Sequence, residues 1–153
     1  MVCMFTGHRD IRFEDVNTLP VWLDERIEEY IALGYTDFCV GGATGFDTLA
    51  ELKILEKKKK YGFIKLHLYL PCRDQDKSWT DNQKAMYRVV LEHADSINYV
   101  SENYFRGCMH KRNREMVEAS DVCIAYCHSQ KGGSRYTVTH CQKKGVKVVN
   151  FFD

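Results

Sequence analysis

DFCVGGATGFDTL, residues 37–49, joins a short apolar run to the start of a helix through a turn built on three glycines. Asp37–Val40 has the length and apolarity of a buried strand. Gly41, Gly42 and Gly45 end it, and Leu49, Leu52 and Leu55 then recur at helical spacing, with their side chains expected inward. A strand that passes through a glycine turn into a helix is half of a βαβ unit, in which the helix is the crossover that lets two strands pair in parallel.

The same alternation runs through the rest of the chain. Apolar runs at Val2–Thr6, Lys65–Leu70, Ser96–Val100, Val122–Tyr126 and Lys147–Phe151 predict five more strands. Leu19, Leu23, Ile27, Tyr30 and Ile31 mark a first helix that closes at Gly34. Met86, Val89, Val90 and Ala94 mark a third, Met109, Arg112, Met116 and Val117 a fourth, and Val138, Cys141 and Gln142 a fifth that closes at Gly145. The expectation is an α/β protein: a single Rossmann-like domain over residues 1–153, with a mainly parallel twisted sheet and helices on both faces. A chain of 153 residues, 44% apolar, is the right size and composition for one core. Lys57–Lys60 falls at the end of the second helix, where solvated lysines complement the helix dipole, a reading preferred to a nucleic-acid patch. Pro71–Trp79 and Ser101–Gly107 are irregular and expected as a rim or lid around a site.

Twenty-two Lys and Arg against 21 Asp and Glu leave a net charge of +1, so no global field draws the chain to nucleic acid or to an anionic membrane; a local basic cleft is compatible with that balance. No apolar run approaches the ~20 residues of a membrane span, and MVCMFTGHRD lacks the hydrophobic segment of a signal peptide, which makes a cytoplasmic location the expectation. Seven cysteines, an odd number, stand mostly inside apolar runs and read as small core hydrophobes in a reducing compartment. Cys123 and Cys127 have no second pair at zinc-site spacing, so no metal is expected.

In open α/β sheets ligands bind beyond the carboxyl ends of the strands, beside the point where strand order reverses. Four segments belong at that edge. After the first strand, Gly7 permits close backbone approach and Arg9 can fork onto a phosphate. Gly41, Gly42, Thr44 and Gly45 open a helix, where free N–H groups and the positive helix end suit an anion; Asp47 in its first turn reads either as a dipole partner or as a contact to a ribose hydroxyl. This turn is neither G-x-G-x-x-G nor a Walker A loop, so a standard dinucleotide or NTPase site is not supported and no cofactor is expected. Met109–Val117 opens the fourth helix. There Arg112 shares a face with Met109 and Met116 and is expected to point into the cleft and fork onto the ligand's phosphate, whereas Lys111 aligns with Glu115 on a solvent face. Gly132, Gly133, Ser134 and Thr137 form a second glycine turn ahead of a helix. Trp79, preceded by charged residues, either stacks on a base or plugs the gap between its loop and the third helix.

The segments Gly41–Leu49 (GGATGFDTL), Met109–Asp121 (MHKRNREMVEASD) and Gly132–Thr137 (GGSRYT), with Thr6–Arg9 in front, resemble the SLOG superfamily, and the YpsA-like branch of it above all. That superfamily includes the DNA-processing protein of natural transformation and the Lonely Guy phosphoribohydrolases. The resemblance spans nearly the whole chain and implies a Rossmann-like fold, a nucleotide-type ligand and a homodimer. Met109, His110, Arg112, Gly132, Gly133 and Thr137 match the Lonely Guy pattern, but its catalytic Glu is missing: His140 stands three residues past Thr137, and Lys131 replaces a Pro. Asp47, Asp76 and Glu115 remain as carboxylates near the cleft, and no spacing argument selects one as catalytic.

The leading expectation is therefore a binding module for a nucleotide or nucleotide-derived small molecule, with no membrane partner. The first alternative is a nucleoside 5′-monophosphate N-glycosidase. The second is a single-stranded nucleic-acid binder, for which the charge balance and the lack of an accessory domain make the chain a poor candidate.

Overall fold

A computed structural model describes all residues, Met1–Asp153. Six strands, β1 (Val2–Gly7), β2 (Asp37–Val40), β3 (Lys65–Leu70), β4 (Ser96–Tyr99), β5 (Val122–Tyr126) and β6 (Lys147–Asn150), form one sheet in the order β4-β3-β2-β1-β5-β6. Every pairing is parallel. Five helices make the crossovers: α1 (Thr18–Ala32), α2 (Phe46–Lys60), α3 (Asp81–His93), α4 (Cys108–Glu118) and α5 (Gly133–Lys143). This is the Rossmann-like α/β fold expected from the alternation of runs. No helix is long and apolar enough to cross a membrane.

Strand alternation divides the core into two layers. Cys3 and Phe5 of β1 face a cluster with Leu23 of α1, Ile54 of α2 and Val90 of α3, whereas Met4 faces the other side, with Met116 and Val117 of α4 and Val138 of α5. All seven cysteines are buried free thiols.

Three local expectations need correction. The buried face of α2 is Phe46, Asp47, Ala50, Glu51, Ile54 and Lys57. Leu49, Leu52 and Leu55 are only half-buried, on its flank. Likewise Tyr87 and Val90 carry the buried face of α3, while Met86 and Val89 are exposed. The lysine run at the end of α2 is not simply solvated: Lys57 is buried, with Nζ 2.8 Å from Asp24 and 3.0 Å from Glu28, and Lys58 reaches Asp95 at 2.6 Å. With Lys57, Tyr61 and Lys60 all donating to it, the Glu28 carboxyl is pulled down to about 2. The lysines thus tie α2 to α1 and to the start of β4.

Strand order reverses between β1 and β5, because the chain builds outward from β1 to β4 and then returns to the other side of β1. The loops after β1 and β5 diverge there and leave a crevice at the carboxyl edge.

Candidate functional site

That crevice holds a cavity of about 320 Å³. Its floor is the end of β1 with Ala43 and Asp47. One wall is α4, through Met109, Arg112, Asn113 and Met116, and the other is the first turn of α5, through Gly133 and Ser134. His8 and Arg9 stand at the β1 side.

Of the residues singled out in the sequence, Gly7, Arg9, Asp47, Arg112, Gly133 and Ser134 converge on this cavity. Gly132 faces a neighbouring cavity, and Thr44 and Gly45 line a shallow groove against α3. Gly41 and Gly42 are buried, and Thr137 is fully buried with its hydroxyl donating to the Gly133 carbonyl at 3.0 Å. Trp79 is half-buried against the core, edge-on to Tyr87 at a ring separation of 5.0 Å, and takes no part in lining the cavity. It plugs the gap between its loop and α3. The Pro71–Trp79 and Ser101–Gly107 loops do not rim the cavity either. They clasp one another instead, the Arg73 N–H donating to the Glu102 carbonyl at 3.2 Å and the Arg73 guanidinium pairing with the Glu102 carboxylate at 2.8 Å.

The Gly41–Gly45 turn is occupied by the protein itself. Arg112, 6% exposed, reaches across the edge of the sheet and donates from Nη1 to the carbonyls of Gly41 and Tyr69 and from Nε to Asn113 Oδ1 at 2.6 Å. Asp47 accepts the Ala43 N–H at 3.1 Å, and Phe46 N–H donates to the His8 carbonyl at 3.1 Å. A Cβ on Gly41 would stand 2.7 Å from Arg112 Nη1. On Gly45, whose φ is +76°, it would collide with the Arg9 carbonyl. These glycines serve close packing. Only Nη2 of Arg112 is left without a partner in the chain.

Burial governs the electrostatics of that turn. It raises the Asp47 carboxyl, against the pull of Arg112, the Ala43 N–H and Arg9, and it lowers the Arg112 guanidinium against the pull of Asp47. One turn further along α2, burial beside Asp47 holds the Glu51 carboxyl well above the usual carboxylate range, and its Oε2 has no hydrogen-bond partner. Asp47 is the only carboxylate lining the cavity; Glu115 is exposed, and neither it nor Asp76 reaches the lining.

The Gly132–Ser134 turn is built differently. Gly132 precedes α5 with no side chain to cap it, and the first backbone bond of the helix is from Tyr136 N–H to the Gly132 carbonyl at 3.0 Å. The N–H groups of Gly133, Ser134 and Arg135 therefore have no intrahelical acceptor. A Cβ on Gly132 or Gly133 would meet nothing within 4 Å. Facing this open helix end, Arg9 is exposed; its guanidinium donates one hydrogen bond, to Met109 Sδ at 3.6 Å, and pairs with no acid.

His8 and Asn113 are lining residues that sequence reasoning did not single out. His8 Nε2 accepts the His128 N–H at 3.0 Å, and burial followed by His128 and Arg135 lowers its pKa, so the ring is neutral with its proton on Nδ1. Asn113 turns Oδ1 to Arg112 and keeps its amide N–H groups free of partners in the chain. The signal for both was position: one directly follows β1, and the other lies on the Arg112 side of α4.

Known proteins share this architecture. The DNA processing protein A of Helicobacter pylori, described as binding single-stranded DNA, superposes with a TM-score of 0.69 and 21% identity over 98% of this chain and 64% of its own. The DNA processing protein A of Streptococcus pneumoniae gives 0.69 and 15% over 97% and 49%. This chain thus spans between about half and two-thirds of those proteins, and at such identities the likeness is one of fold. Two bacterial relatives are similar in sequence: the SPbeta prophage-derived protein YoqJ of Bacillus subtilis, 31% identical over 118 residues and 69% of each chain, and a UPF0398 protein of Bacillus cereus, 23% identical over 126 residues, 80% of this chain and 68% of the relative. The model of the YspA SLOG family matches residues 3–151, and the chain belongs to that family.

Proposed function

We propose that the chain is a binding module for a phosphate-bearing nucleotide or nucleotide-derived ligand, seated in the cavity between β1 and α5. The observation that carries this reading is the uncapped N-terminus of α5, whose free N–H groups open on a cavity beside the unpaired, exposed guanidinium of Arg9. Backbone donors at the positive end of a helix, with an arginine opposite, are the chemistry of phosphate recognition. Neutral His8, through Nδ1–H, and Asn113, through its amide, are neutral donors for the sugar or base. Thermal shift and titration with AMP, GMP, CMP and UMP test this. At least one should stabilise the fold, and Arg9→Ala should weaken it about tenfold or more while leaving the melting temperature of the free protein unchanged. No stabilisation by any of the four at millimolar concentration overturns the proposal. Free base released in the same tubes would make the module an enzyme.

A second reading, single-stranded nucleic acid, is favoured by how the charge is distributed. Residues 104–147, which contain α4 and α5, carry nine Lys and Arg against three Asp and Glu, whereas residues 1–103 carry 13 against 17. The near-zero net charge therefore hides one basic layer. Binding to an oligonucleotide that falls steeply with salt, with no response to mononucleotides, would select this reading.

A further inference from the structure

A second cavity, of about 380 Å³, lies beyond the Gly132–Ser134 turn from the first. Lys131 and Gly132 contribute from the turn, and Arg135, Tyr136, His140 and Lys143 from the outer face of α5, one stripe at helical spacing. No carboxylate lines it. Lys57, Lys58 and Lys60 each hold an acid, but Lys131, Arg135 and Lys143 have no acid within 4.0 Å. Arg135 is fixed in place, Nε donating to the Ser129 carbonyl at 2.8 Å with the guanidinium beside the Cys127 thiol, and no acid neutralises it. Tyr136 is held between the parallel ring of His140 at 6.3 Å and the edge of His110 at 4.1 Å, and its hydroxyl accepts from Arg114 at 3.1 Å. His140 Nε2 is shut off from solvent and has no partner in the chain.

Unpaired cations that converge in a hollow repel one another, and an anion between them removes that cost. The wall dividing this hollow from the first cavity is the Gly132–Gly133 backbone, with open space where either side chain would stand. We propose that the ligand of the first cavity carries a second phosphate group, which crosses this glycine saddle and is held by Lys131, Arg135 and Lys143. The proposal rests on the nucleotide reading above and narrows it to a nucleotide with two linked phosphates, joined either as a pyrophosphate or through a 3′,5′-phosphodiester.

The test is calorimetric titration, at one fixed ionic strength, of AMP, ADP and the 5′-phosphorylated deoxyadenosine dinucleotide, or the same three with another base if the first cavity prefers it. The protein is the wild type and Lys131→Ala/Lys143→Ala, a double variant of two exposed side chains that leaves the core intact. The wild type should bind ADP or the dinucleotide about tenfold or more tightly than AMP. The double variant should lose that preference and keep its AMP affinity. A preference for ADP identifies a phosphate chain, and one for the dinucleotide identifies a phosphodiester. Equal binding of all three by the wild type, or a preference that survives in the double variant, overturns the second site while leaving the first. Failure of all three to bind overturns both.

Discussion

At Gly41–Gly45 the chain fills its own turn: the Arg112 guanidinium, the Asp47 carboxyl and the Arg9 carbonyl occupy the space that a ligand or a side chain would need. At Gly132–Ser134 the space where the Gly132 and Gly133 side chains would stand is open, and three N–H groups of a helix end are left over. The two turns read alike, each with paired glycines between a parallel strand and a helix. What separates them is whether partners from elsewhere in the chain arrive. Glycine in the first permits protein to pack on protein; in the second it keeps the backbone bare. The difference is open to substitution.

The largest effect belongs to Gly45→Ala. Its methyl group needs the space of the Arg9 carbonyl, and its φ of +76° disfavours any side chain. Strain and overpacking together should cost on the order of 4 kcal/mol in chemical denaturation. A loss below about 1 kcal/mol would mean that the first turn yields easily and is not the sealed element described here.

Arg112→Ala comes next. It leaves the buried Gly41 carbonyl and Asn113 Oδ1 without their donor and takes away the positive charge that favours the buried Asp47 carboxylate, and stranding buried polar groups in this way costs about 3 kcal/mol. Lys111→Ala, one position away on the exposed face, should change stability by less than about 0.5 kcal/mol. Equal losses in the two would break the distinction between an arginine that holds the sheet edge together and a lysine that does not.

The fold could be read from the sequence because buried parallel strands are nearly continuous apolar runs, and the six runs lie within a residue or so of the strands. The faces of α2 and α3 could not. Asp47, Glu51 and Lys57 point inward on α2, and a hydrophobic pattern sends such residues to solvent; Asp47 and Lys57 are compensated by Arg112, Asp24 and Glu28, all remote in sequence. The site followed the same rule. That Gly7, Arg9, Gly133 and Ser134 meet is a consequence of strand order and was legible. That the first glycine turn is closed depends on an arginine 71 positions away, and no local pattern encodes that.

Among the glycine substitutions Gly133→Ala should cost no stability, and it separates the two turns most sharply. Gly133 does not need a positive φ, and its added methyl would stand in open space on the first turn of α5, where alanine suits a helix better than glycine. Stability should therefore hold or rise by up to about 1 kcal/mol. The same methyl projects over N–H groups that a phosphate must approach closely, so affinity for the best nucleotide of the panel should fall about tenfold while the melting temperature does not. Thermal melts and titrations on one preparation read both quantities. Undiminished affinity would show that the ligand does not approach the backbone at Gly133, and the open turn would then be no more a binding element than the closed one.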